Sequence, residues 1–113
     1  MPLSAYVILK SEKEASLERQ HPWVFSGAIQ SRHGRPRTGD RVAVRTASGQ
    51  WMGWGHYTKG QSIAVRMLAF DAAEPTSGFW AARIQQAVAL RKRLGLIDGD
   101  RTNCCRLLHG EGD

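Results

Sequence analysis

The sequence predicts a mainly β protein: a small barrel of short strands, then one long helix and one further strand. Three observations carry this reading. Residues 41–70 alternate apolar and polar positions between Gly-containing turns, the pattern of short antiparallel strands. Residues 79–96 repeat apolar positions at helical spacing. Between them, Glu74-Pro75-Thr76-Ser77-Gly78 follows neither pattern and reads as a linker. A chain of 113 residues holds one domain, or one domain and part of a second. At that size roughly two-thirds of the unfolded surface can be buried, enough for a core without staples.

Tyr6-Val7-Ile8-Leu9 favours a first strand, ended by the charged segment 10–14. Ser16-Leu17-Glu18-Arg19 opens a helical turn, although no Glu or Gln completes a capping box. Pro22 biases His21 away from helical backbone, so the turn stops there. Trp23-Val24-Phe25, followed by Ser26-Gly27, is a compact apolar anchor expected as another helical turn. A strand over 28–32 and a loop over 34–39 come next. Residues 41–46 alternate through Val42 and Val44 and turn at Ala47-Ser48-Gly49-Gln50. Residues 51–57 set Gly53 and Gly55 around Trp54, a spacing that predicts a bulge or sharp curvature beside another backbone. After a turn at Thr58-Lys59-Gly60-Gln61, residues 62–70 return with Ile63, Val65 and Met67 on one face. Five short strands with Gly-rich turns point to a barrel. The helix over 79–96 carries an apolar stripe of Trp80, Ile84, Ala87, Val88 and Leu94, interrupted by Arg83 and Arg91, and is ended by Gly95 and the Asp98-Gly99-Asp100 turn. Residues 102–109 are expected as a strand whose partners lie in a longer protein, because a lone strand cannot satisfy its ladder.

Composition excludes several classes. With 42% hydrophobic and 23% charged residues, wholesale disorder is excluded. Ala5-Tyr6-Val7-Ile8-Leu9 is too short for a membrane span or a signal segment, so a cytoplasmic protein is expected. Cys104 and Cys105 are adjacent, cannot tie distant segments together, and fit a reducing compartment. On a strand they would face opposite sides, and zinc needs about four ligands, so no metal site is expected; one buried and one exposed thiol is the expectation. His109-Gly110-Glu111-Gly112-Asp113 lacks a phosphate-loop lysine. No catalytic constellation and no cofactor-binding loop is found.

The charge is informative. The chain carries 16 Lys+Arg against 10 Asp+Glu, a net +6. Residues 32–45 hold Arg32, Arg35, Arg37, Arg41 and Arg45 against Asp40 alone, and this accounts for the whole basic excess of residues 1–75. Planar guanidinium groups suit bidentate phosphate contact, although a solvated basic face has the same composition. Lys10, Arg19, His21, His56 and Lys59 lie in other turns, and Trp23, Trp51, Trp54 and Tyr57 interleave with them, as in modules that join a cationic groove to stacking rings. The candidate RNA-binding residues are Lys10, Arg19, Arg32, Arg35, Arg37, Arg41 and Lys59. Trp23, after a proline, and Trp54, between glycines, read as core plugs; Trp51, beside a turn, reads as the exposed ring.

The ordered motifs bear a resemblance. His21-Pro22-Trp23-Val24-Phe25-Ser26-Gly27-Ala28-Ile29, then Gly39-Asp40, Gly53-Trp54-Gly55-His56-Tyr57 and Ser62-Ile63-Ala64-Val65-Arg66-Met67-Leu68 resemble the PUA domains that open the bacterial 23S ribosomal RNA cytosine-C5 methyltransferase family. The helix with Arg83, Ala87 and Arg91, then Thr102-Asn103, Arg106-Leu107 and His109-Gly110-Glu111-Gly112-Asp113, resemble the start of that family's next domain. The resemblance covers nearly the whole chain. Ala28 and Thr58-Lys59 depart from the family pattern at surface-like places, and Cys104 and Cys105 match none of its catalytic motifs.

The resemblance implies a PUA-like pseudobarrel over 1–72, a linker over 73–78, and the truncated start of a middle domain over 79–113. It implies ribosomal RNA as partner, and S-adenosylmethionine as cofactor of the full-length parent, bound in a domain absent from this chain. The implied role is an RNA-binding accessory segment, without catalysis by itself. The alternative is a small barrel acting as a protein-interaction or dimerisation module; a hydrolase using His109 and Glu111 is the weakest reading. The apolar helix and the lone strand also lead to an expected homodimer through residues 79–109.

Overall fold

Alternation decides which face of each strand is buried. In β1 (Tyr6–Leu9), Val7 and Leu9 are buried while Tyr6 and Ile8 are partly exposed. The computed structural model describes residues 5–71 and 74–109, which divide into two units, Met1–Glu74 and Pro75–Asp113. In the first unit, β1 leads to α1 (Ala15–Glu18), β2 (Trp23–Phe25), a 3-10 turn (Ser26–Ala28), β3 (Ile29–His33), β4 (Arg41–Arg45), β5 (Trp51–Tyr57) and β6 (Ile63–Ala69). These six strands form one mixed sheet in the order β2-β6-β5-β4-β1-β3, in which only β1 and β4 run parallel. The sheet curls into a half-barrel around Val7, Leu9, Val24, Ile29, Val42, Val44, Tyr57, Val65 and Met67, with Leu17 of α1 entering the same cluster.

The barrel-like, mainly β expectation holds, with one correction in this unit. There are six described strands rather than five, because Trp23-Val24-Phe25 is a strand and not a helical turn. It pairs antiparallel with β6, Trp23 opposite Arg66 and Val24 opposite Val65, and this pairing buries Val24 against the core. The helical turn follows it, at Ser26–Ala28. The reading of Gly53 and Gly55 is confirmed in detail. The register shifts between Trp54 and Gly55 against β6, and between Val44 and Arg45 against β5. A Cβ on Gly53 (φ +148°) would collide with Ala69 O and come within 2.9 Å of Met67 Cε; one on Gly55 would lie 2.5 Å from Arg66 O and 2.6 Å from Val65 Cγ1. Both glycines therefore leave the inner face of β5 to the side chains of β6.

In the second unit, α2 (Phe79–Arg93) is the long helix expected, ending three residues earlier than 96. Leu94 is its cap and Gly95 follows at φ +75°. Leu96 N donates to Arg91 O (2.9 Å) and Gly95 N to Lys92 O (3.1 Å), the paired bonds of a Schellman end. Arg91, Lys92 and Arg93 put positive charge where the helix dipole is negative. The anticipated apolar stripe is buried only in part: Ala87 is buried and Val88 partly so, whereas Trp80, Ile84 and Leu94 are exposed and Arg91, expected as an interruption, is buried. Arg91 accounts for this face, since its guanidinium donates to Ala87 O (3.4 Å) and to Arg106 O (3.1 Å), tying the following segment to the helix.

Residues 102–109 are not a strand. They join no ladder, and Thr102 Oγ1 instead accepts from Cys104 N (3.1 Å) and donates to Cys104 O (2.9 Å), a local turn that competes with extended pairing. Cys104 is exposed and Cys105 partly exposed, so neither is the buried thiol expected. Of the His109–Asp113 motif only His109 lies within the described residues.

The close approach across β5 and β6 sets a stability test. Gly55→Ala is expected to cost at least about 1–3 kcal/mol in urea unfolding, the range for overpacking. Gly27→Ala, where nothing lies within 4 Å of the added carbon, is expected to change stability by less than about 0.5 kcal/mol.

Candidate nucleic-acid interface

The order of the strands places the arginine-rich loop. β3 and β4 flank β1 on opposite sides, with His33 opposite Tyr6 and Ala43 also opposite Tyr6, so the chain must step across the start of β1 to pass from one to the other. Residues 34–40 make that step. Gly34 (φ 81°), Arg35 (φ 50°) and Gly39 (φ 94°) adopt left-handed backbone, which glycine takes without steric cost and Arg35 takes against its ordinary preference.

The loop is fixed by hydrogen bonds rather than by apolar packing. Asp40 Oδ2 accepts from Arg37 N (2.8 Å), and Asp40 N donates to Arg37 O (2.9 Å). Gly39 N donates to Tyr57 O (2.8 Å) while Tyr57 N donates to Asp40 O (2.9 Å), clamping the loop to the end of β5. Lys59 N donates to Thr38 Oγ1 (3.1 Å), which draws Lys59 beside the loop from 21 residues away. Arg32 Nε donates to the Tyr57 hydroxyl (2.8 Å), which holds its guanidinium beside that oxygen while the phenol ring stays buried.

Together these contacts shape an open cleft of about 730 Å³ lined by Arg32, Arg35, Arg37, Lys59, His33 and Tyr57 among others. Among the described residues that line it there is no carboxylate. A smaller hollow of about 390 Å³ on the other side of the loop is lined by Arg35, Arg37 and Arg41 together with Asp40 and Glu74. There Arg41 lies 3.8 Å from Glu74, both side chains substantially exposed, a weak pair in water. Five of the seven candidate residues therefore converge on one loop. Lys10 and Arg19 do not: Lys10 follows the far end of β1, where its N–H donates to Ala28 O, and Arg19 ends α1. Both are exposed.

Two cationic aromatic clusters on the outer face of the sheet escaped the sequence reading. Arg66, on β6 opposite Trp23, has its guanidinium carbon 5.6 Å from the Trp23 ring, which also meets His21 (5.7 Å) and Phe25 (6.3 Å) edge-on. Trp23 is thus not the core plug expected; it is partly exposed, and the inward residue of β2 is Val24. Three residues are too few for a period to show, and the pairing of β2 with β6 is what turns Trp23 outward. Trp54 is buried, opposite Ala43 and Ala69. Trp51, expected as exposed, is partly covered by Tyr6 and Arg45.

A curled mixed sheet with a basic crossover loop defines a small β module. Residues 7–70 match the PUA-like domain family, and the chain belongs to it. Over 112 residues the chain is 43% identical to the ribosomal RNA large subunit methyltransferase I of Alteromonas mediterranea and 35% identical to that of Escherichia coli, in each case over 98% of this chain and 28% of the relative. The chain thus spans little more than a quarter of those proteins. Among solved structures, a Streptococcus mutans protein described as a SAM-dependent methyltransferase superposes with a TM-score of 0.60 at 12% identity, over 79% of this chain and 23% of its own. A methyltransferase structure in complex with SAH gives 0.61 at the same identity and coverage. At that identity the likeness is one of fold.

The outward placement of Trp23 gives a paired prediction. Val24→Ala is expected to cost on the order of 2 kcal/mol in thermal or urea unfolding, through lost burial and a residual cavity. Trp23→Ala is expected to cost less than half of the 3–5 kcal/mol typical of a core tryptophan.

Proposed function

We propose that this chain is the RNA-binding accessory segment of an S-adenosylmethionine-dependent 23S ribosomal RNA cytosine-C5 methyltransferase, holding ribosomal RNA for a catalytic domain elsewhere in the parent polypeptide. The observation that carries the reading is the cleft that gathers Arg32, Arg35, Arg37 and Lys59, with no carboxylate among its described lining residues, in a chain 43% identical over 98% of its length to a ribosomal RNA methyltransferase. In this reading residues 1–72 bind RNA, 73–78 link, and 79–113 begin the middle domain of a cytoplasmic enzyme. In this reading the methyl donor is bound elsewhere in the parent polypeptide.

Phosphate contact makes a measurable claim. Replacing Arg35, Arg37 or Lys59 singly by Ala is expected to weaken binding of a structured ribosomal RNA fragment by about 1 kcal/mol and to lower the slope of log K against log salt by roughly one unit. Folding stability should change by less than about 0.5 kcal/mol. Arg32→Ala should also destabilise by about 1 kcal/mol, because it removes the partner of the Tyr57 hydroxyl. Affinity and salt slope unchanged in the combined variant would remove RNA from this cleft and favour the alternative, a protein-interaction module.

One observation favours an additional association. Trp80, Ile84, Leu94, Leu107 and Leu108 are exposed in the second unit, an apolar set that water disfavours. The 113-residue chain by itself is expected to form a homodimer through residues 79–109, seen by light scattering as a concentration-dependent doubling of mass. Trp80→Glu combined with Leu94→Glu should return it to monomer.

A further inference from the structure

Beside the cleft, on the outer face of the half-barrel, four strands bring Tyr6, His33, Arg45 and Trp51 together. The register explains the meeting: Tyr6 pairs with His33 across β1 and β3, and Arg45 with Trp51 across β4 and β5. Tyr6 and His33 stack with ring centroids 4.5 Å apart and planes 4° from parallel, and Trp51 meets Tyr6 edge-on at 5.6 Å. The Arg45 guanidinium carbon lies 5.7 Å from the Tyr6 centroid and 5.6 Å from that of Trp51. Each of the four residues is partly exposed.

The cluster is held in place from behind. Ser31 Oγ is 2.9 Å from His33 Nε2 and orients the imidazole. The turn joining β4 to β5 is closed by Thr46, whose amide donates to Gln50 O (2.8 Å) and whose Oγ1 accepts from Gln50 N (3.0 Å), fixing Arg45 against Trp51. Yet one donor of Arg45 lacks an acceptor: its Nε is shielded from solvent and donates to nothing among the described residues. Buried donors are ordinarily satisfied, and a charged donor left without an acceptor is a place where a ligand anion gains most. A guanidinium between two aromatic rings offers both halves of nucleotide recognition, an anion contact and a stacking surface.

We infer that this cluster is a platform for one unpaired RNA nucleotide, its base stacked on the aromatic rings and its phosphate accepting from Arg45. The inference rests on the RNA reading of the neighbouring cleft and adds a single-stranded element to it. His33 belongs to both sites, stacking on Tyr6 and lining the arginine cleft. RNA whose phosphates lie along Arg32, Arg35 and Arg37 can therefore pass an unpaired nucleotide onto the platform without leaving the protein surface. The positive charge of that continuous surface selects a polyanion over an apolar protein segment as the occupant.

The test compares a blunt RNA hairpin with the same hairpin carrying a short single-stranded uridine tail, at either end, on the 113-residue chain. The tailed RNA is expected to bind at least about fivefold more tightly, the lower end of what one stacked base contributes. Arg45→Gln and Trp51→Leu should each abolish that gain while leaving the blunt-hairpin Kd within about twofold, and Trp51→Phe should retain most of it. Equal affinity for both RNAs, or a gain that survives Arg45→Gln, overturns the platform. A melting curve checks that the variants fold, and if Trp51→Leu does not, Arg45→Gln alone decides. Failure of the wild-type chain to bind the blunt hairpin counts against the cleft instead. In that event a free uridine oligonucleotide reads the platform separately: loss of its binding on Arg45→Gln supports it, and binding that is absent or indifferent to Arg45 overturns it.

Discussion

The close approach of β6 to the inner face of β5 is the constraint on which the rest of the first unit depends. Gly53 and Gly55 carry no Cβ where Ala69 O, Met67, Arg66 O and Val65 come nearest, so the sheet can fold over itself there. The shifted registers on both sides of β5 are the geometric counterpart of that fold. Curvature brings Val42, Val44, Val65 and Tyr57 around one interior, and Leu17 of the short helix joins them. It also divides the side chains cleanly. Val24, Val65 and Met67 go inward; Trp23 and Arg66 go outward and meet each other.

The single parallel pairing, β1 with β4, has a different consequence. It forces the chain to cross the start of β1 between β3 and β4, and the crossing segment is the one that carries the arginines. A loop in that position cannot bury its backbone against a core, so it is held by bonds from Asp40 and by the clamp on Tyr57. The clamp explains how residues distant in sequence come to line one cleft. Tyr57 contributes its backbone to the loop, its hydroxyl to Arg32 and its ring to the core. One buried side chain thus couples barrel stability to the geometry of the basic surface.

Much of this was legible in the chain. Alternation through Val42, Val44, Val65 and Met67 located the central strands, and glycines spaced by two around Trp54 located the bend. The arginine-rich stretch located the basic loop, since five guanidinium groups against one acid are visible without coordinates. What was not legible depended on partners distant in sequence. Trp23-Val24-Phe25 is three residues long, too short for its period to show, and only β6 makes it a strand. Lys59 belongs to the cleft through Thr38, and Tyr6 meets Trp51 through the strand order; neither contact has a local signature. Residues 102–109 misled for the converse reason: their apolar content suggested a strand, but Thr102 and Arg91 satisfy that backbone locally and no ladder partner is present among the described residues.

In the proposed reading, a PUA-like module with its charge gathered on a hydrogen-bonded crossover loop, beside a set of aromatic rings, grips a structured polyanion from one side. The most direct test is an amide chemical-shift map of the chain titrated with a structured fragment of 23S ribosomal RNA. The account predicts perturbations concentrated at residues 32–38 and 57–59 and extending to Arg45 and Trp51, with the amides of Lys10 and Arg19 little changed. Perturbations centred on residues 79–109, or on α1 with the loop silent, would contradict it.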